Sequence, residues 1–190
     1  MDEKELILQL KNGNEEAFNE IVERYSKKLY FLCLKMLQNE KDAEDTVQTI
    51  FLKAYMNISR FEEKSNISTW LYRIGVNVCT DVLRKRKKET TTSLYATSSD
   101  EEEYALEIPD EKENVEEAVL AQERKRALYA AINTLKPKQK QLIVLRDIEG
   151  LAYDEIADIL KMNPGTVKSG INRARSALLE KLQKNPELFS

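Results

Sequence analysis

Histidine is absent from this chain, and its two cysteines, Cys33 and Cys79, stand far apart with no CxxC spacing. A His-based general base, a serine-hydrolase triad and a zinc-ligand set are therefore all missing, and the carboxylates show no metal-ligand spacing. No catalytic residue, metal or cofactor is expected. What remains with chemistry to perform is a set of cations, amides and aromatics, densest from Ser65 to Lys88, SNISTWLYRIGVNVCTDVLRKRKK. Arg73, Asn77, Thr80 and Arg84 share one face at helical spacing, Trp70 and Tyr72 flank them, and five consecutive cations, Arg84 to Lys88, close the stretch. Cations neutralise phosphate, aromatic planes stack on bases, and amides bond base edges, so the combination points to nucleic acid. A solvated amphipathic face would explain the spacing alone. The opposite stripe of this helix is expected to be Leu71, Ile74, Val78 and Val82.

A second constellation lies near the carboxyl end. A short helix, Tyr153 to Lys161, leads through Met162-Asn163 into a longer one, with Asn163 suited to the N-cap and Pro164 to the first helical position. Val167, Ile171, Ala174 and Leu178 form its buried stripe, while Thr166, Lys168, Ser169, Asn172, Arg173 and Ser176 face outward. Hydroxyls, amides and cations on the second of two short helices are what a major-groove recognition helix needs. Two smaller signals precede these. Asp42, Glu44, Asp45, Gln48 and Thr49 cluster at the start of another helix, where complementing the helix dipole is an equally good explanation. Phe61 stands in the polar loop Ser59 to Asn66, as an anchor to the core or as a pocket wall for an unstacked base.

The elements that carry these residues read as helices throughout. Five glycines and four prolines punctuate 190 residues, and no alternating strand pattern competes. Helices are expected over Glu5 to Lys11, Glu15 to about Leu37, about Asp42 to Ala54, from the end of the Ser59–Asn66 loop to Lys88, from Val115 to the break at Lys136-Pro137, Gln139 to Ile148, Tyr153 to Lys161, and from Pro164 onward. Charge divides the chain. Lys and Arg against Asp and Glu number 16 to 14 over 1–88, 1 to 11 over 89–117, and 13 to 8 over 118–190, so the formal net charge of −3 comes from the middle. That segment is rich in Ser, Thr and acid and cannot bury enough surface to offset its chain entropy. The fold class is thus all-α: two small helical domains, 1–88 and 115–190, joined by an acidic flexible linker, 89–114. No apolar run approaches the roughly 20 residues of a membrane span, the amino terminus is acidic, and the cysteines read as buried hydrophobes, so a cytoplasmic location is expected.

Three segments together, DAEDTVQTIFLKAY (42–55), the RF…STWLYRI..N pattern from Arg60 to Asn77, and LAYDEIADILKMNPGTVKSGINRARSALL (151–179), resemble the extracytoplasmic-function (ECF, group IV) sigma factors of the bacterial sigma-70 family. The similarity covers Leu6 to Lys88 and Val115 to Leu182. It implies that the first domain is sigma region 2, which binds core RNA polymerase and captures the melted non-template strand of the minus-ten element. By matched position, Asp42, Asp45 and Gln48 would contact core. Phe61 and Asn66 would belong to the loop receiving a flipped base, Trp70, Arg73 and Asn77 would face the melted strand, and Arg84, Lys85 and Arg86 would hold its phosphates.

The second domain would be region 4, reading the minus-thirty-five duplex with Pro164, Thr166, Lys168, Ser169, Asn172 and Arg173. The resemblance further implies an anti-sigma partner, no catalysis and no membrane insertion of its own. The alternative is a helix-turn-helix repressor or activator that does not associate with core polymerase. The chain departs from the family's pattern at Thr49, Ala152, Lys161, where glycine is common, and Gly170, where arginine is common. Gly170 lies between the buried stripe and the outward face; a mid-helix glycine costs about 0.8–1 kcal/mol relative to alanine, so replacing it is expected to stabilise.

Overall fold

A computed structural model describes residues 2–63, 65–92 and 115–184, with the side chains of 90–92 and 115–119 excepted. No strand occurs among the described residues. The chain is all-α, as its periodicity predicts, and divides into two compact units. The first takes the described part of Met1–Ser99 together with Asp154–Met162; the second takes that of Asp100–Tyr153 together with Asn163–Ser190.

The first unit opens with α1 (Glu3–Lys11), α2 (Glu15–Leu37) and α3 (Glu40–Asn57), then a 3₁₀ turn (Ile58–Arg60) and α4 (Ile67–Thr92). Each of the first three helices starts at a side-chain oxygen that accepts an otherwise unpaired backbone N–H: Asp2 from Glu5 (2.8 Å), Asn14 from Ala17 (3.1 Å), Asn39 from Asp42 (2.8 Å). α2, α3 and α4 pack mutually, and α1 lies on α2. Leu6, Leu29, Leu32, Met36, Ile50, Ile67 and Leu71 are wholly buried. Gly75 marks the tightest approach. A Cβ there would lie 3.2 Å from Ile50 Cδ1 and 3.3 Å from Leu32 Cδ2, so its missing side chain lets α4 settle between α2 and α3.

That packing turns α4 relative to the expected stripe. Leu71 and Val78 are buried as expected, but Gly75 and Cys79 take the place of Ile74, which is only half-buried. Tyr72, expected to flank the strand-facing side, is buried too. α4 also runs to Thr92, past the expected end at Lys88. The rest of the acidic segment, 93–114, lies outside the described residues.

The second unit contains α5 (Val115–Asn133), α6 (Pro137–Ile143), a π-helical turn (Val144–Ile148) and α8 (Pro164–Leu182); α7 (Tyr153–Leu160), grouped with the first unit, precedes α8 in the chain. Ile132, Leu135, Ile143 and Ala174 form its core, with Leu128, Tyr129, Ile148, Ala177 and Leu178 against them. Pro137 at the first turn of α6 ends the preceding helix as expected, but α6 gives way after Ile143 to the π-helical turn. The turn places Arg146 so that its guanidinium lies 4.7 Å from the centre of the Tyr153 ring and Nη1 donates to the Leu151 carbonyl (2.7 Å).

Gly170 departs from its expected place. It is buried, and a Cβ there would come within 2.8 Å of Leu142 Cδ1 on α6. Close packing of α8 on α6 thus accounts for the glycine. The expectation that it sits at a border and merely softens the helix is corrected.

Candidate nucleic-acid interface

In the first unit the candidate surface is a cleft of about 320 Å³ lined by Lys53, Asn57 and Arg60 on one side and Trp70, Ile74 and Asn77 on the other. Each wall is a set at i, i+4, i+7. On α4 that spacing is one helical face, and on the other side it runs from the last turns of α3 into the 3₁₀ turn. The cleft therefore combines two cations, two amides and an indole. Such a set can receive a planar base by stacking and amide bonding while the cations approach its phosphate.

The residues expected to build this surface do not all reach it. Asn77 is exposed and Trp70 half-buried, both in the cleft wall. Asn66 is exposed just before α4, its backbone carbonyl accepting from Trp70 N–H (3.2 Å). Arg73 is half-buried, and its Nε is enclosed without a hydrogen bond to the described residues. Phe61 is only 4% exposed and packs on Trp70 with ring centres 5.2 Å apart. Of its two open readings the geometry favours the anchor, supporting the cleft wall from behind.

The cationic end of α4 also divides. Arg84 and Lys85 are exposed, with only local partners, Asp81 (3.1 Å) and Glu89 (3.9 Å). Arg86 is ion-paired with Asp42 at the start of α3 and donates through Nη1 to the Leu37 carbonyl at the end of α2 (3.1 Å). A guanidinium there satisfies an orphan carbonyl and the negative helix end together. Arg86 is therefore held at the edge of the bundle by two other helices in this structure, where its expected role was on phosphate, and Asp42 turns toward it.

On the second surface the outward candidates are all exposed as expected, while Leu178 of the expected buried stripe is only half-buried. Asn163 Oδ1 caps α8 by accepting from Gly165 N–H (2.9 Å), and Pro164 occupies the first turn. Val167, Ile171 and Ala174 are buried; Pro164, Thr166, Lys168, Ser169, Asn172, Arg173 and Ser176 are all exposed. Ser169 Oγ donates to Thr166 O (3.1 Å) and Arg173 Nε to Ser169 O (3.3 Å), which holds these side chains along the helix. Arg175, two positions beyond Arg173, is held by Asp147 of the π-helical turn, its Nε 3.1 and 3.2 Å from the two carboxylate oxygens. That hydrogen bond pushes the guanidinium pKa further up, and the Asp147 charge adds to it.

Comparison with known proteins finds a family match in each half of the chain. A family model of Sigma-70 region 2 matches residues 21–89, and one of Sigma-70, region 4, matches residues 125–178. The chain is 37% identical over 180 residues to the ECF RNA polymerase sigma factor SigW of Bacillus subtilis, covering 95% of this chain and 96% of that protein. It belongs to the ECF sigma factors of the sigma-70 family. The ECF RNA polymerase sigma-E factor of Haemophilus influenzae is 32% identical, with 96% of each chain covered. Among solved structures, the sigma factor RpoE of Bartonella quintana, in complex with the anti-sigma factor NepR, matches with a TM-score of 0.68 and 26% identity over 87% of this chain and 96% of that one.

On this sigma factor's α3, Asp45 and Gln48 are exposed as expected, and the outward ridge continues through Leu52 (60% exposed), Tyr55 (50%) and Met56 (70%). These large, open apolar groups continue the face of Asp45 and Gln48 by about two turns. Sequence reasoning passed over them, as it passed over Lys53, Asn57 and Arg60. The i, i+4, i+7 spacing of that trio was the available signal. Lacking an aromatic, it drew no attention until α4 supplied Trp70 opposite.

Proposed function

We propose that this sigma factor binds core RNA polymerase through the α3 ridge, captures the melted non-template strand of a promoter in the α3–α4 cleft, and reads the minus-thirty-five duplex with the outward face of α8. The cleft carries the proposal: cations, amides and an indole converge on a space open to one base, which a duplex-binding repressor would not need. The protein has no catalysis of its own, falls in group IV, acts in the cytoplasm, and is held in reserve by an anti-sigma factor.

Sigma-free core polymerase, the full chain and a promoter library test this directly. Promoter-directed initiation is the expected result, and failure to bind core would overturn the reading. Asn77→Ala and Arg73→Ala should slow promoter opening at least tenfold, a loss of about 1.4 kcal/mol, with core affinity nearly intact. Equal loss of core binding would show that the cleft has been given the wrong partner.

A further inference from the structure

α1 lies outside the segment that the Sigma-70 region 2 family model matches, yet it holds at two points the connection between Arg60 and Trp70, two residues of the cleft lining. At one point, Glu3 Oε1 accepts the backbone N–H of Ile67, the first residue of α4, at 3.0 Å. That donor has no partner within its own helix, so a carboxylate from another helix caps it. At the other, Lys11 Nζ donates to Glu63 Oε1 at 2.6 Å and lies 6.0 Å from the centre of the Phe61 ring. Glu63 is in the left-handed region, with φ of 56°, a conformation a side chain disfavours and surrounding contacts must maintain.

The geometry extends from there to the cleft. Phe61 packs on Trp70 with the rings tilted by 46°, and Trp70 is a cleft wall, so Lys11, Phe61 and Trp70 form a chain of contacts from α1 to the candidate base site. α1 can act as a fixed support because Leu6, Ile7 and Leu10 bury its other face. Eight residues separate Glu3 from Lys11, a reach of roughly 12 Å along the helix. That separates the two grips enough to hold the connection at two points.

We propose that Glu3 and Lys11 are positioning residues for the 61–66 loop, setting the width of the Trp70 cleft and hence the discrimination among bases of the captured strand. This rests on the reading of the cleft as the strand-capture surface. Lys11 and Glu63 are 28% and 50% exposed, so water screens their attraction. Loss of such a pair shifts a local equilibrium by about fivefold at most. The consequence is a change in selectivity and not a loss of fold.

The test uses the full chain with sigma-free core polymerase and promoter templates carrying each of the four bases at each melted position. Wild type is compared with Lys11→Glu, Glu63→Lys, the combined swap, Glu3→Gln, and Asn77→Ala as a probe of the cleft itself. Each single charge change and Glu3→Gln should reduce base discrimination at one position by about two- to fivefold. Core affinity and thermal midpoint should hold, and the swap should restore discrimination. Discrimination unchanged in the α1 and loop variants while Asn77→Ala slows opening would overturn the bracing role and leave the cleft reading standing. Opening unaffected by Asn77→Ala would overturn the cleft reading itself. A swap that fails to restore what the single changes lose would also overturn the proposal, since a merely structural disturbance behaves that way.

Discussion

α4 and α8 carry the same kinds of outward residue at the same spacing, yet they meet their expectations differently. On α8 every candidate is exposed, and the buried stripe follows periodicity through Val167, Ile171 and Ala174, with Gly170 added to it and Leu178 half-buried. On α4 the candidates separate: Asn77, Arg84 and Lys85 are open, Trp70 and Arg73 are half-buried, and Arg86 is bound to Asp42 and Leu37. The reason is where the neighbours lie, since each helix packs on two others. α8 is covered along one side, by α5 and α6. α4 is wedged between α2 and α3, with the 61–66 loop at its start and the α2 carboxyl end beside its cations. A helix covered on one side keeps the face that its sequence shows; one wedged among several loses part of that face to them.

The largest effect that could break this contrast is at Gly170. Gly170→Arg should cost about 1–3 kcal/mol, because the added side chain must displace Leu142 Cδ1 where α8 packs on α6. Urea unfolding of the full chain measures it. If instead stability holds, binding to a minus-thirty-five duplex tightens and the salt slope steepens by roughly 0.9, position 170 faces the DNA and α8 is not covered as described.

Next in size, Gly75→Ala should cost about 1–2 kcal/mol, the crowding of Ile50 and Leu32 outweighing the helix propensity gained. A rise in the thermal midpoint would show that α4 has more room than the contrast requires.

Arg86 and Arg84 sharpen the contrast within α4. Arg86→Met should lose about 1 kcal/mol of stability, most of it through the carbonyl bond because the ion pair is partly screened. It should leave the salt dependence of single-strand binding by the polymerase complex unchanged. Arg84→Met should do the reverse: stability within about 0.5 kcal/mol and a salt slope shallower by roughly 0.7. Identical behaviour of the two variants would erase the distinction between a cation held at the edge of the bundle and one presented to phosphate.

The smallest effect is in the turn between α7 and α8. Lys161 has φ of 52°, and the α7 end is closed by Met162 N–H donating to the Ala157 carbonyl at 2.9 Å. Lys161→Gly should therefore gain about 0.5–1 kcal/mol, read as a higher thermal midpoint with DNA affinity unchanged.

By itself the sequence determined the helices, the stripe and outward face of α8, the Asn163 cap and the all-α class. These are local: periodicity fixes a face, and a capping side chain acts within three residues. It also exposed the family, because that resemblance rests on residue types in order. Tertiary structure alone decided which of two glycines faces which neighbour, since a missing side chain has no meaning until something approaches it. The same holds for Arg86, whose partners lie 44 and 49 residues away on two other helices. It holds for the cleft, which exists only because Lys53, Asn57 and Arg60 stand opposite Trp70, Ile74 and Asn77. A helical wheel ranks the positions of one helix, whereas a binding surface depends on which second element is set beside it and at what distance.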